Sequence, residues 1–157
     1  MASPTQTTTK AVESSTASLT VNGQSINYSY PNGWQLRQET KDGYSVVFLE
    51  GPDKVLLTLT MYGMDMEPAQ LSATLLDTMK KQFGGATVTT LKGTVAGGID
   101  AEGYRMTFTF KGVPMTSTIL SFRGGKSSFT LYTQAADANL GAVQPGFDLI
   151  KNTLVVK

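Results

Sequence analysis

Between Tyr104 and Tyr132 the chain alternates as a β-sheet demands. Tyr104, Met106, Phe108 and Phe110 fall at every second position, with Arg105, Thr107 and Thr109 between them. That period puts the large apolar side chains on one face of a pleated strand. Lys111-Gly112 and Gly124-Gly125 separate this run from two more, Val113 to Phe122 and Lys126 to Tyr132. Such pairs supply the positive φ of short hairpin turns. The stretch predicts an antiparallel meander of three strands, and the other elements must pack onto its sheet.

The strands upstream have a different pattern. In Tyr44 to Leu49 and in Val55 to Leu59 both parities carry apolar residues. Strands covered on both faces have this composition, so something apolar must lie on each side of the sheet. Two segments have the grammar to do it. Over 68–83, Pro68 suits a first helical turn, Asp65 and Glu67 put negative charge at the start, and Gly84-Gly85 end it. Leu71, Leu75, Met79 and Phe83 form its stripe, widened by Leu76. A second helix is expected over about 137–152, with a break at Pro145-Gly146 and Phe147, Ile150 and Leu154 at helical spacing.

The remaining elements follow from turn chemistry. Leu19 and Val21 lead into Asn22-Gly23, and Ser25 to Tyr30 return as a hairpin. Pro31-Asn32-Gly33 stops that strand before Trp34. Gln35 to Thr40, Tyr44 to Glu50 and Lys54 to Tyr62 are strands divided by Lys41-Asp42-Gly43 and Gly51-Pro52-Asp53. Thr87 to Lys92 is a strand, and Gly97-Gly98 and Ala101-Glu102-Gly103 are expected turns.

Half of the first twenty residues are Ser or Thr. Residues 1–17 lack the apolar surface to order themselves, so we expect a disordered tether there and one domain over 18–157. The segment has no charged-then-apolar leader pattern. A polar tether before a compact domain is typical of processed exported lipoproteins, and Met1-Ala2 is expected to replace a removed leader. A frayed native terminus is the plainer alternative.

Several chemistries have no residues to run on. Cysteine and histidine are both absent, which removes thiolate nucleophiles, Ser–His and Cys–His pairs and the commonest zinc ligands. A net charge of +1 with 16% charged residues leaves no basic stripe for phosphates, so nucleic acid is not an expected partner.

Tyr28-Ser29-Tyr30-Pro31-Asn32-Gly33-Trp34 resembles the opening of PsbP-like and DcrB-like domains, a strand followed by Pro-x-Gly-Trp. The Gly51-Pro52-Asp53 turn and the closing Phe147-x-x-Ile150 match the same order and spacing, over roughly Ser18 to Val156. The resemblance implies an α+β fold, an α/β/α sandwich with a central antiparallel sheet. It implies a mostly non-catalytic role, as in extrinsic photosystem subunits, a Ran-binding import factor, exported bacterial lipoproteins and chaperones of secretion effectors. This chain lacks the histidines of the photosynthetic members and an acidic bias for Ran. The Ser/Thr tether places it nearest the exported lipoproteins.

Each candidate site also has a plain structural role. Gly125-Lys126-Ser127 ends like a phosphate loop, but Leu120 stands where the first glycine belongs and a strand follows instead of a helix, so it is a hairpin turn. Met61, Met64 and Met66 could hold Cu(I) through thioethers; methionines also fill irregular gaps between strand and helix. Trp34, with Tyr30 and Tyr62, is a candidate ligand or partner contact, or else a lid on the core. Asp100 and Glu102 are turn carboxylates without the held separation that glycoside hydrolysis needs. Asn27-Tyr28-Ser29 fits a glycosylation acceptor but falls in a strand. The expectation is a non-enzymatic accessory domain with no cofactor, exported to the cell envelope, peripheral to the membrane through an N-terminal lipid anchor, and bound to a protein partner. A small-ligand or Cu(I) carrier is the alternative.

Overall fold

The computed structural model describes residues 13–156. The meander is at the centre, as its alternation requires. Strands β7 (Ile99–Phe110), β8 (Val113–Gly124) and β9 (Ser127–Ala136) pair antiparallel in sequence. They join β3 (Gln35–Lys41), β4 (Tyr44–Glu50), β5 (Leu56–Tyr62) and β6 (Thr87–Val95) in a seven-stranded sheet of order β3-β4-β5-β9-β8-β7-β6. Helix α1 spans Pro68–Gln82 and α2 spans Asp137–Thr153. The fold is α+β.

The N-terminal hairpin does not join that sheet. Strands β1 (Ser14–Val21) and β2 (Gln24–Pro31) form a second sheet with β10 (Val155–Val156). Their turn is the expected one, with Asn22 at φ 51° and Gly23 at φ 82°. The expected tether falls largely on residues 1–12 and lies outside the described residues. Ser14–Ala17, which the sequence reading put in it, pair with Tyr28–Pro31 in β1.

Alternation assigns each strand residue to a face. On one face Val47, Leu49, Leu57, Leu59, Phe122, Phe129 and Leu131 pack with Ile26 and Tyr28 of β2 and with Phe147 and Ile150 of α2. The second sheet covers β4 and β5 there, while α2 lies over β6, β8 and β9. On the opposite face Met106, Phe108, Ile119 and Tyr132 pack with Leu76, Met79 and Phe83 at α1. Helix α1 rests on β7, β8 and β9. Among the described residues no helix is seated over the β3–β5 half of that face.

Three local expectations are corrected. Ala101-Glu102-Gly103 is not a turn, because β7 runs unbroken from Ile99. Glycine is needed there for another reason: a Cβ at Gly103 would lie 1.8 Å from the Ile119 carbonyl oxygen. The break at Pro145-Gly146 is absent, and α2 continues through Pro145. Pro145 forgoes a bond to the Gly141 carbonyl, and both residues are exposed, so water meets that carbonyl. Strand β5 begins two residues later than expected, after a short 3-10 turn over Pro52–Lys54 with Asp53 in the left-handed region.

Candidate functional site

The uncovered half-face and α1 together form a groove of about 420 Å³. Its strand side is Thr58, Thr60 and Tyr62 of β5 with Thr130 and Tyr132 of β9. Its helix side is Gln70, Leu71, Thr74, Leu75, Thr78 and Met79. Among the described residues no charged side chain lines it. Beyond β5 the surface continues onto β4, where Tyr44 stands opposite Tyr62 and Phe48 opposite Thr58. The Tyr44 and Tyr62 rings lie 6.3 Å apart. Arg37 of β3 stacks 4.3 Å over Phe48 and pairs with Glu39, which places charge at the outer edge.

Hydroxyl groups fix the helix beside the groove. Ser72 is fully buried on the stripe of α1. Its Oγ donates to the Glu102 carbonyl at 2.9 Å or to Ser121 Oγ at 2.7 Å. Ser121 is in turn 3.1 Å from Thr130. Ser128 holds the segment entering α1, accepting the Met66 N–H at 2.6 Å and donating to the Met64 carbonyl at 3.0 Å. Arg123 pairs with Asp65 and Glu67 on the same segment. These pairs are exposed and contribute little to stability.

Two tyrosines of the groove are held in their neutral form. Burial pushes Tyr132 up to about 12, opposed in part by its hydrogen bond with Ser117. Burial also raises Tyr62, and the neighbouring Tyr44 adds to it.

The residues singled out from sequence are distributed as follows. Tyr62 and Met66 line the groove. Met61 is fully buried on the other face, and Met64 is 59% exposed. The three thioethers thus occupy separate surroundings. Tyr30 is half-buried against the core, with its ring 6.3 Å from that of Tyr28. Trp34 packs against Phe147 and borders an open depression with Asn32, Glu50 and Pro52. Asp100 and Glu102 are exposed on β7, and among the described residues no cluster of three or more acidic side chains could hold a metal. The chemistry-bearing positions that the sequence reading missed are Ser72 and Ser121. A serine one helical turn from Leu76, inside an apolar stripe, was the available signal.

Two antiparallel sheets and two helices, with an uncharged groove beside one helix, define the class: an α+β domain built around a seven-stranded sheet. The fold is PsbP-like, as comparison with solved structures shows. Cyanobacterial PsbP from Synechocystis superposes with a TM-score of 0.61 at 12% identity, covering 98% of each chain. LpqN, involved in cell envelope biogenesis of Mycobacterium tuberculosis, gives 0.57 at 15% identity, covering 92% of this chain and 91% of that one. A Bacteroides thetaiotaomicron protein gives 0.54 at 14% identity, and the match spans 85% of this chain and 45% of that one. No protein-family model and no curated protein matches the chain. The resemblance read from the sequence therefore holds at the level of fold.

Proposed function

We propose that this is a non-enzymatic accessory domain of an exported bacterial envelope protein, and that it binds a protein partner through the groove between α1 and β5. In this reading the segment before β1 tethers the domain at the envelope through an N-terminal lipid anchor. The observation that carries the partner site is the unequal cover of the sheet. Strands β4 and β5 have apolar residues on both parities; one face is packed throughout, while on the other Val46 is buried and Leu56 packs beside α1 but the aromatic rings are only partly covered. The other presents Tyr44, Phe48 and Tyr62 half-buried beside an uncharged groove. Exposed surface of that kind marks interaction sites.

The geometry suits an amphipathic helix. Strands β3–β5 span roughly 10–14 Å, about the width of one helix. A helix laid beside α1 would complete the α/β/α layering implied by the resemblance. Likeness to the fold of an envelope-biogenesis protein supports the location.

The test is capture from detergent-solubilised envelope with the domain and with Thr74→Arg. Thr74 is exposed at the groove and lies outside the core. One partner retained by the parent and lost from the folded variant is expected. A partner held equally by both would place the contact elsewhere and end this reading of the groove.

A further inference from the structure

A second cavity, of about 140 Å³, lies on the other side of the sheet, where α2 crosses β6–β9. Leu120, Leu131 and Phe147 are its buried walls, and Leu91 and Leu140 its half-buried rim. One corner is polar, unlike the rest of this face. Thr118 and Thr133 stand opposite each other on β8 and β9 and share a hydrogen bond between their hydroxyls. One proton is used in that bond and the other stays free to be donated. Arg105 is the cross-strand partner of Thr118 on β7, and Lys151 enters from α2. Neither is in an ion pair among the described residues.

The other charges at the cavity offset that positive corner only in part. Lys92 borders it, but Leu91 and Gly93 are the β6 residues on this face, so alternation turns the Lys92 side chain away. Asp148 is the one carboxylate among the lining residues and accepts a hydrogen bond from Gln144 Nε2 at 2.9 Å; set against Arg105 and Lys151 together, it leaves one positive charge in excess. A guanidinium beside a free hydroxyl donor matches a carboxylate, which takes two parallel N–H···O bonds from arginine. A cavity of about 150 Å³ lined by aliphatic and aromatic groups accepts a molecule the size of benzene.

We propose that this cavity binds a small apolar carboxylate, its hydrocarbon against Leu120, Leu131 and Phe147 and its carboxylate on Arg105 and the Thr118–Thr133 pair. The size excludes a lipid or a nucleotide. The site is independent of the partner groove, which lies on the opposite face.

The test is titration of the full chain, followed by amide NMR, with benzoate, benzyl alcohol and benzylamine. Benzoate should give saturable shifts at Thr118, Thr133 and Leu140, and Arg105→Gln should weaken it by about tenfold or more. Benzyl alcohol should bind more weakly than benzoate to the parent and about equally to Arg105→Gln. Gly93→Val is the blocking variant. A Cβ at Gly93 meets nothing within 4 Å, so the branched side chain enters open space on this face. It should abolish binding with no loss of melting temperature. Absence of saturable shifts with benzoate, tighter binding of benzylamine, or an unchanged affinity in Arg105→Gln would each overturn the proposal.

Discussion

The indole of Trp34 stands edge-on to the ring of Phe147, with centroids 5.9 Å apart and planes at 86°. Such a pair adds about 0.5–1.5 kcal/mol beyond the area it buries. The indole also occupies the space above two glycines. A Cβ at Gly51 would lie 2.8 Å from Trp34 Cε2, and one at Gly146 would lie 2.6 Å from Cζ2 and 3.0 Å from Pro31 Cγ. One side chain thus joins the loop after β2, the loop after β4 and the middle of α2. This is why glycine follows Pro145 without ending the helix.

The same substitution in the same helix should therefore have opposite signs at two positions. At exposed Gly141 nothing lies within 4 Å of an added Cβ. Gly141→Ala should stabilise by up to about 1 kcal/mol through helix propensity and the entropy of the unfolded chain. Gly146→Ala gains the same term, but must displace two rigid rings at a cost of about 1–3 kcal/mol. With the full propensity gain its net effect should be a loss of up to about 2 kcal/mol. Urea unfolding followed by tryptophan emission measures both, and a stabilised Gly146→Ala would show that the indole is free to move.

Ser72→Ala should cost about 1–3 kcal/mol, because it strips a buried donor from the Glu102 carbonyl and a partner from Ser121. The loss should be local as well as global. Helix α1 is held to β7 and β8 by this contact, so amide exchange in α1 should accelerate more than in β9. Uniform exchange across both would mean that Ser72 only fills space.

These contacts show what the sequence could and could not reveal. The meander, the Asn22-Gly23 turn and the start of α1 are set by neighbours in sequence, so period and turn chemistry suffice to find them. Which sheet the β1–β2 hairpin joins depends on β10, more than a hundred residues away, and no local pattern encodes that. Gly103 and Gly146 were read as a turn and a break because glycine's commonest use is conformational. Here both serve close approach, to the Ile119 carbonyl and to Trp34. The two-sided apolar strands were legible; that one side is left half-covered was not, because the length of α1 says nothing about where it docks. Trp34 has both a contact and a lid reading in the sequence, and it packs on Phe147 while bordering an open depression.

Stability should be nearly flat through neutral pH and should fall in alkali. The chain has no histidine to titrate near neutrality. Tyr132 ionises near 10 when unfolded and is pushed up to about 12 by burial in the fold. Its contribution is therefore fully present below pH 10 and is lost as pH rises through about 12. Burial raises Tyr62 and Tyr28 as well, so their contributions are also lost in alkali. Tyr132→Phe removes the group, and should flatten the alkaline limb of the denaturation profile. If the limb keeps its slope, another group governs it.

The groove should be separable from the fold. Tyr62 is half-buried and its aromatic neighbour is Tyr44, so Tyr62→Ala should cost no more than about 1–2 kcal/mol of stability. Aromatic anchors at the centre of an interface cost about 2 kcal/mol or more on truncation. For a helical partner, Tyr62→Ala should therefore weaken binding by about thirtyfold. Arg37→Ala removes a rim cation that stacks on Phe48. It should alter the salt dependence and association rate more than the dissociation rate. Surface plasmon resonance with the captured partner separates the two rates. Equal effects of both substitutions on dissociation would move the centre of the interface from β5 toward β3.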